Sequence, residues 1–84
     1  MIDSVFSKAV IYPQDNANLI LELRQRFGLT QEQFAAKLGV TFATVNRWEN
    51  RRAKPSRLAL QSIRGVLEQM GESGQDLLTK YFSN

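Results

Sequence analysis

The sequence predicts an all-α domain, and three observations support this fold class. Apolar residues recur at spacings of three and four in several separate stretches, which is typical of helices that bury one face. Thr or Ser precedes several of these stretches, where its hydroxyl can accept hydrogen bonds from amides of the first helical turn. Glycine or proline separates the stretches at short intervals, which favours short connections between helices.

The chain begins with a segment outside this pattern, residues 1–15. Its apolar side chains are β-prone and Pro13 closes the stretch, so we expect an N-terminal arm or a short strand, with a partly disordered tail as the alternative. The first helix is predicted at about 17–27, with Asp15 or Asn16 as its N-cap. Leu21 points away from its inward face and is a candidate contact for the arm. The inward face itself comprises Leu19, Ile20, Leu23 and Phe27.

The second predicted helix has recognisable residues at both ends. Thr30 is a candidate N-cap, and Gln33 follows three residues later as in a capping box. Gly39 ends the helix, because glycine takes a left-handed C-terminal conformation without steric cost. The apolar face between them contains Phe34, Ala35 and Leu38.

A third helix is predicted to follow at once, with Thr41 as its N-cap. Val45 and Trp48 lie three residues apart and form its inward stripe. Two helices joined by a short turn that contains Gly form a helix-turn-helix, whose second helix enters the DNA major groove. The outward positions of this helix are Phe42, Ala43, Thr44, Asn46 and Arg47.

Two further helices are predicted towards the C-terminus. Ser56 caps the first of them, at about 56–70, and Gly65 within it weakens the helix unless close packing uses the missing side chain. Residues 71–74, Gly-Glu-Ser-Gly, predict a loop before a short last helix. Core positions on the fourth helix are Ala59, Leu60, Ile63, Val66, Leu67 and Met70. Leu77, Leu78, Tyr81 and Phe82 on the last helix form either core cover or a two-fold dimer patch.

The 84 residues make one small domain whose composition argues against catalysis. The chain has no cysteine and no histidine, so it lacks thiolate ligands, the commonest metal ligand and the commonest general base near neutral pH. We therefore expect no metal, no cofactor and no enzyme activity. No apolar run approaches the ~20 residues that span a membrane, so we expect a cytoplasmic protein without a membrane partner.

The net charge of +3 is modest, but the cations are unevenly placed. Residues 47–64 contain six cations and one anion, whereas the other 66 residues contain five cations and seven anions. A positive field confined to one part of the chain suits a phosphate backbone. A solvated basic loop is the alternative.

The segment from Ile20 to Pro55 contains a set of residues at fixed spacing: Leu23-Arg24, Phe27-Gly28-Leu29-Thr30-Gln31, Phe34-Ala35, Leu38-Gly39-Val40-Thr41, Val45, Trp48-Glu49 and Lys54-Pro55. In these residues the segment resembles the Xre/Cro-type (lambda-repressor-like) helix-turn-helix family. This resemblance implies a compact five-helix domain, here residues 16–84, that binds double-stranded DNA and usually forms a homodimer.

The resemblance and the chemistry of the side chains together suggest site residues. Arg47 is the first candidate for guanine, since arginine pairs bidentately with O6 and N7, and a phosphate contact is its alternative. Candidates for base contacts are Phe42, Ala43, Asn46 and Arg47. Candidates for phosphate contacts are Gln31, Thr41, Thr44, Asn50, Arg51, Arg52 and Lys54; Thr44 and Asn46 suit either role. In the family, a glutamine at the position of Gln31 also braces the second helix of the motif.

Two expectations concern the frame of the motif. Arg24 and Glu49 occupy positions where the family forms a largely buried ion pair. Because breaking one partner of such a pair typically costs ~3–5 kcal/mol, Glu49→Ala is expected to lower thermal stability much more than Glu68→Ala. The family commonly has glycine where this chain has Arg51, so either Asn50 or Arg51 takes a left-handed conformation, or the helix ends differently.

The expected function is sequence-specific binding of double-stranded DNA by a transcriptional regulator, a homodimeric repressor that inserts helix 41–50 in the major groove. One alternative is an antitoxin that represses its own operon and also binds a toxin. Another is a protein-interaction module that uses the basic face for an acidic partner, because one fold hosts unrelated functions.

Overall fold

The computed structural model describes residues 16–83, and this part of the chain forms five helices without a strand. The all-α, five-helix prediction is confirmed. The predicted arm at residues 1–15, and with it the suggested partner of Leu21, lies outside the described residues. The helices are α1 (Asn16–Phe27), α2 (Gln31–Leu38), α3 (Phe42–Glu49), α4 (Arg57–Gln69) and α5 (Glu72–Phe82).

Hydroxyl side chains begin three of the helices. Thr30, Thr41 and Ser56 each accept a hydrogen bond from the backbone N–H three residues further on, at 3.1 Å in every case. At α2 the Gln33 side chain returns the bond, accepting from the Thr30 N–H at 2.9 Å, which completes a capping box. Such caps typically contribute ~1 kcal/mol each, which matters for helices of only eight residues.

A single hydrophobic core takes side chains from all five helices. Its members are between 0% and 5% exposed, and burial of one such side chain typically contributes ~1.5–3 kcal/mol. The inward positions predicted on the first three helices are therefore in the core, with Phe27 and Leu38 packed at its edge. Of the positions predicted on α4, Ile63 and Leu67 are in the core, whereas the others are partly buried against it: Ala59, Leu60, Val66 and Met70. The core comprises Leu19, Ile20, Leu23, Phe34, Ala35, Val45, Trp48, Ile63, Leu67 and Leu77.

The loop predicted at residues 71–74 is wrong. Only Met70 and Gly71, the latter with φ of +64°, lie between α4 and α5, and the last helix begins at Glu72. Gly74 lies inside α5, where a Cβ would be 2.4 Å from the carbonyl oxygen of Leu67. The residue serves close packing of α5 on α4 rather than a turn. A Cβ at Gly65 would meet nothing within 4 Å, so no close approach explains that glycine.

A bidentate ion pair fastens α5 to α1. Arg26 donates through Nη1 to Asp76 Oδ1 and through Nη2 to Asp76 Oδ2, both at 2.7 Å, and Nη1 also donates to the Ser73 carbonyl at 2.9 Å. The Arg26 hydrogen bonds lower the pKa of the Asp76 carboxyl from 3.8 to about 2. This pair positions the C-terminal helix at the surface, beside the buried contacts of Leu77.

Candidate nucleic-acid interface

The helix α3 has one face in the core and the other towards solvent. Val45 is fully buried and Trp48 is 5% exposed. On the opposite face Ala43 and Arg47 are exposed, and Phe42 is 51% exposed. Phe42 is one of two large apolar side chains among residues 16–83 that remain so exposed, the other being Leu58. A helix anchored on one side therefore presents a mixed polar and apolar surface on the other.

The C-terminal end of α3 is tied to α1 by Arg24 and Glu49. Arg24 donates through Nε to Glu49 Oε2 at 2.7 Å and through Nη2 to Oε1 at 3.1 Å. Its third donor, Nη1, reaches the Leu29 carbonyl at 2.9 Å. The two side chains are 19% and 8% exposed, and the hydrogen bond to Glu49 raises the pKa of Arg24. The structure thus brings the two residues together between the first and third helices.

Gln31, the first residue of α2, connects this pair to the outward side of α3. Its Nε2 donates to Glu49 Oε1 at 2.9 Å, and its Oε1 accepts from Asn46 Nδ2 at 3.1 Å. Sequence reasoning placed Gln31 against α3 but missed its partner Asn46. The signal was present in the spacing, since positions 46 and 49 are three apart and share a side of the helix.

The two ends of α3 hold the remaining predicted side chains in local hydrogen bonds. At the start, the hydroxyl oxygens of Thr41 and Thr44 lie 2.9 Å apart, and Thr41 also caps the helix. At the end, Asn50 Nδ2 donates to the Asn46 carbonyl at 2.9 Å. Of the alternatives for the helix end, Arg51 takes the left-handed conformation, with φ of +60°, and Asn50 does not, with φ of −93°.

Cationic side chains follow directly after α3. Arg51, Arg52 and Lys54 are all exposed in the connection to α4, next to the exposed Arg47 on the helix itself. The one carboxylate of residues 47–57, Glu49, is already paired with Arg24. The outward surface of α3 and its following segment is therefore positively charged.

The geometry of α2, the three-residue turn 39–41 and α3 is that of a helix-turn-helix, and a sequence model of that family matches residues 20–68. The chain belongs to the helix-turn-helix family. The resemblance to Xre/lambda-repressor-like proteins is thereby confirmed.

Relatives of this helix-turn-helix chain occur in Escherichia coli strains K12, O6:H1 and O157:H7. Each bears the name "Uncharacterized HTH-type transcriptional regulator YiaG" and is 47% identical over 45 residues. The matched stretch covers 54% of this chain and 47% of each relative, so the chain spans about half the length of these curated relatives. No solved structure matches the chain significantly.

Within residues 16–83, no helix combines the length and the apolar composition that a membrane span needs. No group of three or more His, Cys, Asp or Glu side chains in this range is placed to hold a metal ion.

Proposed function

We propose that this chain is a transcriptional regulator that binds double-stranded DNA sequence-specifically, with α3 in the major groove. The single observation that carries the proposal is the outward face of α3. It exposes Phe42, Ala43 and Arg47, while Val45 and Trp48 anchor the helix in the core. A helix held rigidly with such a face outward suits insertion into the major groove of a duplex.

Base recognition falls to the outward residues of α3. Arg47 would pair with O6 and N7 of a guanine, the commonest specific contact of arginine in the major groove. Phe42 and Ala43 would touch thymine methyl groups, which explains why a phenylalanine stays half-exposed at the helix start. Asn46 completes the set of base-contacting residues.

Phosphate contacts would hold the helix in register. Arg51, Arg52 and Lys54 supply exposed cations directly beyond α3, and Gln31 stands at the start of α2, where backbone N–H groups also favour an anion. Polar side chains at the two ends of α3 complete the proposed phosphate-contacting set: Thr41, Thr44 and Asn50.

We further propose that the regulator acts as a homodimeric repressor in the cytoplasm, occupying a two-fold-symmetric operator. A two-fold dimer would place its half-sites about one helical turn apart. Leu77 is 1% exposed and belongs to the core, whereas Leu78, Tyr81 and Phe82 stay half-buried on α5 and would form the dimer patch. Light scattering would test this surface. We expect a dimeric wild type and a monomeric Tyr81→Lys variant, and a monomeric wild type would contradict the proposed dimer.

The deciding experiment is selection from a random duplex pool at near-physiological salt, followed by sequencing of the retained DNA. We expect an enriched two-fold-symmetric motif with guanine where Arg47 reaches. Three variants separate the proposed roles. Arg47→Ala should relax one position of the motif, and Arg52→Ala should weaken binding equally for all sequences and lower the salt slope by about one. Lys37→Ala is the control, since this exposed cation lies in the last turn of α2 and belongs to none of the proposed contact sets.

The outcomes distinguish the candidate functions. Retention of DNA without any enriched motif would contradict sequence-specific recognition and favour backbone binding. No retention at all would contradict DNA binding. That result would instead favour binding to a protein partner, either a toxin or another protein with an acidic surface.

A further inference from the structure

The hydrogen bonds between α1, α2 and α3 form a chain with a defined direction. It starts at Arg24, whose guanidinium can only donate and which holds both oxygens of Glu49. The paired carboxylate can only accept. Any further group that approaches Glu49 in this setting must therefore offer a donor.

That requirement fixes the orientation of two amide side chains in turn. An amide has an oxygen and an NH2 of nearly the same shape, so position alone does not decide which one faces a neighbour. Next to Glu49, Gln31 must turn its Nε2 inward, at 2.9 Å, and its Oε1 then faces α3. Asn46 must therefore donate an N–H to this oxygen, and its Nδ2 does so at 3.1 Å.

The result is a fixed orientation of the Asn46 amide, at the outward end of this series of hydrogen bonds. Asn46 has given one of its two N–H groups to Gln31, and its other side-chain groups have no hydrogen-bond partner within residues 16–83. Its Oδ1 and its second N–H remain for a ligand. One acceptor beside one donor is the pattern with which asparagine pairs bidentately with N6 and N7 of adenine.

We propose that Gln31 and Glu49 are positioning residues that fix the Asn46 amide for recognition of an adenine. The proposal rests on the proposed function, since it assigns one base of the operator to one residue of α3. Positioning is a second role for Gln31, separate from the phosphate contact proposed above. A phosphate contact would add affinity to every sequence equally, whereas a positioning role changes the preference at one base pair.

Gln31→Met is the test variant. Methionine is similar in length but neither accepts from Asn46 nor donates to Glu49, and Glu49 keeps both bonds from Arg24. Gln33→Met is a matched control, because it makes the same change two residues away, at a side chain whose one hydrogen bond within residues 16–83 is to the Thr30 backbone N–H. Asn46→Ala removes the proposed base contact itself. Selection from a random duplex pool is repeated for each variant beside the wild type.

For the wild type we expect an adenine preference on the order of tenfold at one position of each half-site. Gln31→Met should reduce it to below about threefold, and Asn46→Ala should abolish it while the rest of the motif survives. Gln33→Met should leave the preference intact. A double variant of Gln31 and Asn46 should show no loss of preference beyond that of Asn46→Ala alone.

Other outcomes overturn the proposal. A wild-type motif that Asn46→Ala leaves unchanged removes Asn46 from base recognition. Weaker binding of Gln31→Met to all sequences, with an unchanged motif, would assign Gln31 to a phosphate. These results leave DNA binding itself standing, whereas a wild type that selects no motif contradicts the proposed function as well.

A second measurement needs no DNA. In the free protein, NMR should show slow proton exchange at the Asn46 side-chain amide, protected by Gln31. The protection should fall in Gln31→Met and persist in Gln33→Met, with thermal melts confirming that both variants fold. An Asn46 amide that exchanges at the rate of an exposed asparagine in the wild type would overturn the fixed orientation.

Discussion

Arg51 allows the energetic cost of an arginine in the left-handed conformation to be measured directly. α1 and α2 end with a pair of hydrogen bonds around a glycine of positive φ, Gly28 and Gly39. α3 ends with the same pair, from the Arg51 N–H to Trp48 O at 3.2 Å and from the Arg52 N–H to Arg47 O at 2.9 Å. Here, however, an arginine occupies the left-handed position, with φ of +60°.

The two substitutions to compare are Arg51→Gly and Arg51→Ala. Both remove the guanidinium together with whatever it contacts, and only alanine keeps the Cβ that clashes in the left-handed region. The clash costs ~1–2 kcal/mol, from which the greater chain entropy of glycine in the unfolded state subtracts a part. We therefore expect Arg51→Gly to be more stable than Arg51→Ala by about 1 kcal/mol, or about 4–8 °C in Tm.

Thermal and urea unfolding measure the stability difference between the two variants. The dependence of DNA affinity on salt concentration measures whether Arg51 contacts a phosphate. If Arg51 contacts a phosphate, both variants should bind more weakly than the wild type, with a salt slope lower by about 0.9. Equal stability of the Gly and Ala variants would refute the strain argument. An unchanged salt slope would refute the phosphate contact, and DNA binding would then not explain why an arginine occupies this strained position.

Two further predictions concern the C-terminal helix pair. Gly74→Ala should destabilise the fold by about 1–3 kcal/mol, because its Cβ would overlap the Leu67 carbonyl, whereas Gly65→Ala, with open space around it, should stabilise by up to ~1 kcal/mol. Urea unfolding checks both, and equal signs would contradict the packing argument. The pKa of the Asp76 carboxyl is about 2 in the folded state, against an ordinary value of 3.8. Between these two pH values the unfolded chain binds more protons than the folded one. The contribution of the ion pair to stability is therefore lost as pH falls from about 4 to 2. Asp76→Asn should therefore be less stable than wild type at pH 5, and the gap should close at pH 2; a gap that does not change with pH would contradict the pairing with Arg26.

Local chemistry explains why most elements could be predicted from the sequence. Thr30, Thr41 and Ser56 mark helix starts because a hydroxyl satisfies amides within one turn, and that interaction needs no distant partner. Apolar spacing identifies the inward faces for a similar reason, since 3.6 residues per turn places Val45 and Trp48 on one side whatever they pack against.

The prediction failed where a residue's role depends on a distant neighbour. Gly71 and Gly74 look alike in the sequence, and both suggest a turn. The first does make the turn, but the second is a helical residue whose missing Cβ admits the backbone of Leu67. Only the packing of α5 on α4 separates the two cases, and the spacing of residues carries no information about that contact.

The sequence by itself determined the class of fold, the helix-turn-helix and the positions that face outward on α3, because caps and helical periodicity act within a few residues. The tertiary structure decided how those positions are held. Asn46 meets Gln31 across 15 residues, and Gln31 meets Glu49 across 18, so their hydrogen bonds exist only once α2 and α3 have packed together. The sequence also left the end of α3 open, and the structure places Arg51 in the left-handed conformation, with the Arg51 and Arg52 N–H groups bonded to the carbonyls of Trp48 and Arg47.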